Sequence, residues 1–175
     1  MAATHSAPNL EGGTANNFAN TIETFRSACF SEAVRFKTGE VELVNWTDVP
    51  ATLQSLGEGQ RTELLVKFTG DDEKYLAITV GSALSGDGEM ITCALAFRAD
   101  DHAAFNKAVA ASFDMRTSTP IPVKGALISS LGNERDWINI SSDPAGWMLV
   151  RRFIPVDDAA LPMPPAAPVI RPNES

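Results

Sequence analysis

Cys29 and Cys93 sit in stretches of opposite period, so a bond between them would tie a helix to a strand. Cys29 closes the stretch FANTIETFRSACF, in which Phe18, Ile22, Phe25 and Cys29 recur at intervals of four, three and four. That spacing puts them on one helical stripe. Cys93 lies inside MITCALAF, an apolar run of strand length. Each cysteine therefore falls on a core-facing position of its own element. In an exported protein such a pair oxidises, and the long loop it closes makes the bridge worth a few kcal/mol. The alternative is two reduced thiols packed as small hydrophobes; of the two, the disulfide is preferred. Neither cysteine has a histidine or a basic flank beyond Arg26, so no thiolate nucleophile is expected.

The stripe starts at about Asn17, with Asn16 or Asn17 as the cap. A second, short helix is expected in DVPATLQSLG, with Asp48 as cap, Pro50 in the first turn and Gly57 at the left-handed position beyond the end. From Thr62 the period becomes two. Leu64, Val66 and Phe68, then Tyr75, Ala77 and Thr79, alternate with their neighbours around Gly70-Asp71-Asp72, which reads as a hairpin. Ser85-Gly86-Asp87-Gly88 leads to a third strand, Met90 to Phe97, which alternates poorly and reads as central. Asp100 or Asp101 caps a helix to Phe113 with Phe105, Ala108, Val109 and Ser112 inward. After a turn-rich stretch containing Pro120 and Pro122, two last strands are expected at Trp137 to Ser141 and Trp147 to Phe153. The expected fold class is α+β: an antiparallel sheet of about five strands with two or three helices packed on one face.

The 175 residues suit one domain of ordinary size. Residues 1–16 read as a flexible N-terminal segment, 17–154 as a single α+β domain, and 155–175 as a proline-rich tail holding six of the 11 prolines. Those prolines argue for an extended or disordered tail outside the core. With 14 Lys and Arg against 22 Asp and Glu, the formal charge is -8; an acidic surface keeps a protein soluble and repels phosphate backbones, so nucleic acid is not an expected partner. No apolar run approaches the roughly 18 residues of a membrane-spanning helix. MAATHSAPNLEGGTANN has neither a basic nor an apolar leader region, which leaves a cytoplasmic protein or a mature form that has lost a signal peptide, the latter periplasmic.

Candidate chemistry is sparse. His102 is expected on the surface of a helix first turn, beside Asp100 and Asp101, and His5 in solvent. Two histidines and no Cys-x-x-Cys make a metal site unexpected, and no cofactor motif is present. Asp71-Asp72-Glu73 lacks the alternating carboxylates of a calcium loop. The serines have no evident histidine base, so no catalytic residue is assigned. Trp137 and Trp147 with Arg135, Arg151 and Arg152 form the candidate binding patch, since Trp and Arg anchor interfaces; otherwise the tryptophans simply cover the helix-facing side of the sheet.

The order of Phe25 and Cys29 in FRSACFSEAV, Cys93 in MITCALAF, the helix DDHAAFNKAVAASF and Trp137 in DWINI resembles small uncharacterised exported single-domain proteins of alphaproteobacteria. They share the early Phe-x-x-x-Cys and the mid-chain Cys strand. The resemblance spans about Asn17 to Phe153 and implies a bacterial, exported protein, with no activity to carry over. The expected function is a non-enzymatic binding or accessory domain acting on a protein or small ligand. The alternative is a small hydrolase or lyase using paired carboxylates.

Overall fold

The computed structural model describes residues 6–70, 72–82, 88–156 and 169–170. His5, Asp71, Ser85-Gly86-Asp87 and most of the tail lie outside the described residues. Helix α1 spans Ser6–Cys29 and starts well before the expected Asn17. Pro8 falls among the first residues, whose N–H groups have no partner within a helix, so it does not interrupt the helix. The stripe Phe18, Ile22, Phe25 and Cys29 is buried. Short strands β1 (Arg35–Phe36) and β2 (Val41–Leu43) follow. Two 3-10 turns, Trp46–Asp48 and Ser55–Gly57, flank the one-turn helix α2 (Ala51–Gln54). Three long strands come next: β3 (Arg61–Phe68), β4 (Lys74–Ser82) and β5 (Glu89–Arg98). After helix α3 (His102–Phe113) come β6 (Arg116–Thr117), β7 (Ile121–Val123), β8 (Ala126–Gly132), β9 (Trp137–Ser142) and β10 (Trp147–Pro155).

The fold is α+β, but among the described residues the sheet has nine strands rather than about five, in the order β2-β3-β4-β5-β10-β9-β8-β6 with β7 also on β8. All its pairings are antiparallel. The main addition is β8, which the prolines upstream and the mixed pattern of ALISSLG conceal. It is joined to β7 by a two-residue loop, Lys124-Gly125, with φ of 50° and 84°. Positive φ at both positions suits the right-handed twist of a hairpin.

Helices cover both faces, not one. Alternation sends Leu76, Ile78, Cys93, Leu95, Phe97, Ile138, Ile140, Met148 and Val150 to the first face, beneath α1 and α3. Leu65, Tyr75, Ala77, Ala94, Ala96, Trp147 and Leu149 point to the second face, where α2 and its flanking turns supply Val49, Leu53 and Leu56. The alanines at the centre leave room for that short helix to sit close.

Gly57 is not a left-handed residue; Gly59 is, at φ 68°. Gly57 is needed because the Trp46 ring lies over its Cα, 2.8 Å from where a Cβ would stand. Trp46 is held there by its Nε1–H, which donates to Thr62 Oγ1 at 2.9 Å. Asp48 lies in the 3-10 turn and makes no capping bond, while Pro50 is the N-cap of α2. Gly57→Ala should cost about 1–3 kcal/mol by overpacking, read as a lower urea midpoint at unchanged m-value. A neutral result would mean that the indole moves aside freely.

Two anchors tie α1 to the sheet. Cys29 and Cys93 are joined, with Cα atoms 5.6 Å apart, within bridging range. Beside them Arg152 Nη1 donates to the Cys29 carbonyl at 2.6 Å, its Nε and Nη2 donate to Asp136 Oδ1 at 3.1 and 2.5 Å, and Phe30 lies 4.0 Å under the guanidinium. An arginine at a helix C-terminus satisfies a carbonyl that has no partner within the helix. The tail also returns: β11 (Val169–Ile170) pairs in parallel with β1. These two β-branched residues are the only adjacent pair of that kind between the tail prolines.

Candidate functional site

The candidate patch divides. Arg152 faces α1 and holds it, as above. Arg135 lies in the β8–β9 turn, on a recess of about 790 Å³ shared with Asp114, Arg116 and Glu134. Trp147 is buried on the second face beneath α2, edge-on to Tyr75 at 5.9 Å, with Arg98 4.4 Å above its ring. Trp137 and Arg151 remain together on the second face, beyond the cover of α2.

Register builds that open half of the face. Residues paired directly across antiparallel strands point to the same side. Arg116 pairs with Gly132, Gly132 with Trp137, and Arg151 with both Asn139 and Ala94. Phe153 lies two residues beyond Arg151 on the same face, its ring centroid 4.7 Å from that of Trp137. Ser130 and Ile128 extend the face onto β8, and Ile121, opposite Ile128, carries it to β7. Trp137 is 40% exposed and Ile121 60%.

Arg151 is the unusual member. Its Nη2 donates to Asn139 Oδ1 at 2.6 Å, and its guanidinium lies 5.5 Å from the Phe153 ring. Its Nε is buried and has no hydrogen-bond partner among the described residues. No acidic side chain pairs with it among them either. Burial lowers its pKa below the ordinary arginine value, because removing a cation from water without a counter-ion is costly. An incoming carboxylate would supply the charge and the acceptors this guanidinium lacks. Sequence reasoning named Trp137 and Arg151 but missed Phe153 and Asn139. The signal was there: Arg151 and Phe153 are two apart in a strand, so they share a face.

His102 corrects the sequence reading. It is 4% exposed, not a surface residue, because α3 lies with this first-turn side chain against β8 and β9. Asp101 alone caps the helix, accepting from Ala104 N at 3.0 Å. His102 Nε2 is 2.5 Å from Ser129 Oγ and Nδ1 is 2.9 Å from Ser142 Oγ, so a histidine does stand beside serines. Ser129 is 0% exposed, and the second nitrogen meets a hydroxyl rather than a carboxylate, so no substrate-accessible nucleophile results. The cluster fastens α3. One turn on, Asn106 continues the seam by donating to Thr117 Oγ1 at 2.6 Å; the buried inner residues of α3 are His102, Phe105, Asn106 and Val109, with Ser112 exposed.

Burial lowers the His102 pKa below 6.5, so the unfolded chain takes up this proton first as pH falls. The neutral histidine's contribution is therefore fully present above about pH 6.5 and is lost at lower pH, by up to about 1.4 kcal/mol per pH unit. Urea midpoints at pH 7.5 and 5.5 should fall more for the wild type than for His102→Gln. Equal drops would assign the loss to other groups.

Among the described residues, no three His, Cys, Asp or Glu side chains gather as a metal site, and no helix is long and apolar enough to cross a membrane. No family model, no curated protein and no solved structure matches this chain.

Proposed function

We propose that this chain is a non-enzymatic binding module whose ligand docks on the open half of the second sheet face. The ligand is a protein segment or small acid that presents a carboxylate beside an apolar or aromatic group. The observation that carries this reading is Arg151, a half-buried cation whose Nε is buried and orphaned, with no acidic partner among the described residues, set beside the Trp137–Phe153 pair. Such a cation costs the fold free energy, and a ligand carboxylate offsets that cost. The aromatic pair supplies apolar contact and sets orientation, the division of labour usual in ligand sites. Arg116, on the same face two strands from Trp137, adds positive potential on an otherwise acidic protein.

The test is a heteronuclear NMR titration with N-acetyl-phenylalanine and its uncharged amide as probes. The expected result is saturable shifts at the Trp137 indole and along β8 to β10, much weaker for the amide. Shifts that are absent, or equal for the two probes, would reject the site.

The Cys29–Cys93 bond supports export to an oxidising compartment such as the periplasm, in line with the resemblance to exported alphaproteobacterial proteins. A hydrolase or lyase using paired carboxylates is the second reading; its place would be the recess that Asp114 and Glu134 share with two arginines.

A further inference from the structure

On the open half of the second face, strand register lays the side chains out in rows. The first row is aromatic: Trp137 on β9 and Phe153 on β10, with ring centroids 4.7 Å apart and planes 33° from parallel. The next row on the same face lies two residues along the strands, about 7 Å away. It is polar: Ser130 on β8 pairs with Asn139 on β9, and Asn139 with Arg151 on β10. One step further, Ser141 on β9 stands opposite Ile128. Ser130 is exposed and Ser141 half-buried. An indole that is 40% exposed therefore borders hydroxyls, a carboxamide and a guanidinium.

Each row selects a property of the ligand. The Trp137–Phe153 pair is a shallow platform on a sheet face, which suits a ring lying flat with its C–H groups against the indole. Ser130 and Asn139 carry groups that both donate and accept hydrogen bonds. A purely aromatic or aliphatic acid would take water from them and return nothing, whereas a polyhydroxylated ring engages them. Arg151 has no acidic partner among the described residues, so the complementary group is an anion. A ring with an apolar face, a rim of hydroxyls and a carboxylate is a hexuronic acid. Sites for free small molecules are concave and bury most of the ligand; an open face instead suits one unit of a longer chain. Ser141, two rows from Trp137, is placed for the hydroxyls of the adjoining unit.

We propose, resting on the reading of Arg151 and Trp137 as a ligand site, that the acid bound there is a hexuronic acid unit of an acidic oligosaccharide. Its ring lies on Trp137, its carboxylate meets Arg151, and its hydroxyls exchange hydrogen bonds with Ser130 and Asn139.

The test is a heteronuclear NMR titration of the full-length protein with trigalacturonate, its methyl ester, N-acetylated triglutamate and N-acetyl-phenylalanine. The ester keeps the ring hydroxyls and lacks the charge; triglutamate carries carboxylates without the hydroxylated rings. Trigalacturonate should give saturable shifts at the Trp137 indole, Ser130 and Ser141. Its Kd should be at least about tenfold below that of the ester or of triglutamate, the scale of one charge-assisted hydrogen bond or one unpaired polar group. Ser130→Ala, a change at an exposed position, should weaken trigalacturonate several-fold. Binding of N-acetyl-phenylalanine without trigalacturonate, or equal binding of trigalacturonate and triglutamate, would overturn the sugar and leave the carboxylate site standing. Equal binding of trigalacturonate and its ester would overturn the part given to Arg151 and the proposal with it. No response to any probe would overturn the site as well.

Discussion

Opening the Cys29–Cys93 bond should lower the unfolding free energy by about 4 kcal/mol, the loop-closure entropy expected for a sequence separation of 64. The effect acts chiefly on the unfolded chain, which gains freedom when the tie between α1 and β5 is removed. Urea denaturation with and without reductant measures it, and a Cys29→Ala/Cys93→Ala variant repeats it without reagents. The native fold should persist, because Arg152 still holds the Cys29 carbonyl and Phe25 remains fully buried. A loss below about 1 kcal/mol would show that the reduced chain keeps the two elements together even when unfolded.

Phe105→Ala should cost about 3–5 kcal/mol, the range for removing a fully buried aromatic. Phe105 is completely enclosed and lies where three elements meet, with ring centroids 5.3 Å from Phe18 on α1 and 4.8 Å from Phe97 on β5. The same change at Phe113, which is half-buried at the end of α3 and stacked on Phe30, should cost clearly less. Guanidinium denaturation of both variants gives the ranking, and a reversed order would contradict the placement of the core.

These two positions also indicate how much could be read in advance. The Phe18–Cys29 stripe and Phe105 follow helical spacing, a local property that packing then confirms. The central strands announced themselves by alternation or by continuous apolar runs. Strand β8 did not, because Leu127 and Leu131 face one side and Ile128 the other, with Pro120 and Pro122 just upstream. The second cover of the sheet was hidden for another reason: a one-turn helix carries too few residues to show which face it buries. His102 read as a surface residue since its partners, Ser129 and Ser142, are brought to it only by the pairing of β8 with β9. The candidate patch was half visible. Trp137 and Arg151 have the residue types of a binding surface, but the splitting of Arg151 from Arg152 follows from strand parity. Adjacent arginines in a strand serve opposite faces, one holding α1 and one facing the open site.

That division makes Arg151 the position at which ligand binding is tested most directly. If Arg151 is kept for a ligand, replacing it and its hydrogen-bond partner Asn139 by apolar residues should not harm the fold, since removing both partners of a buried polar pair is close to neutral or stabilising. Thermal unfolding of wild type and Arg151→Met/Asn139→Val is measured across a concentration series of N-acetyl-phenylalanine. The wild-type Tm should rise with ligand, as binding to the native state requires. The double variant should begin at or above the wild-type Tm and stay there throughout the series. A double variant that loses more than about 2 kcal/mol, a buried-network loss, or that responds to the ligand as the wild type does, would contradict a ligand-binding role for Arg151.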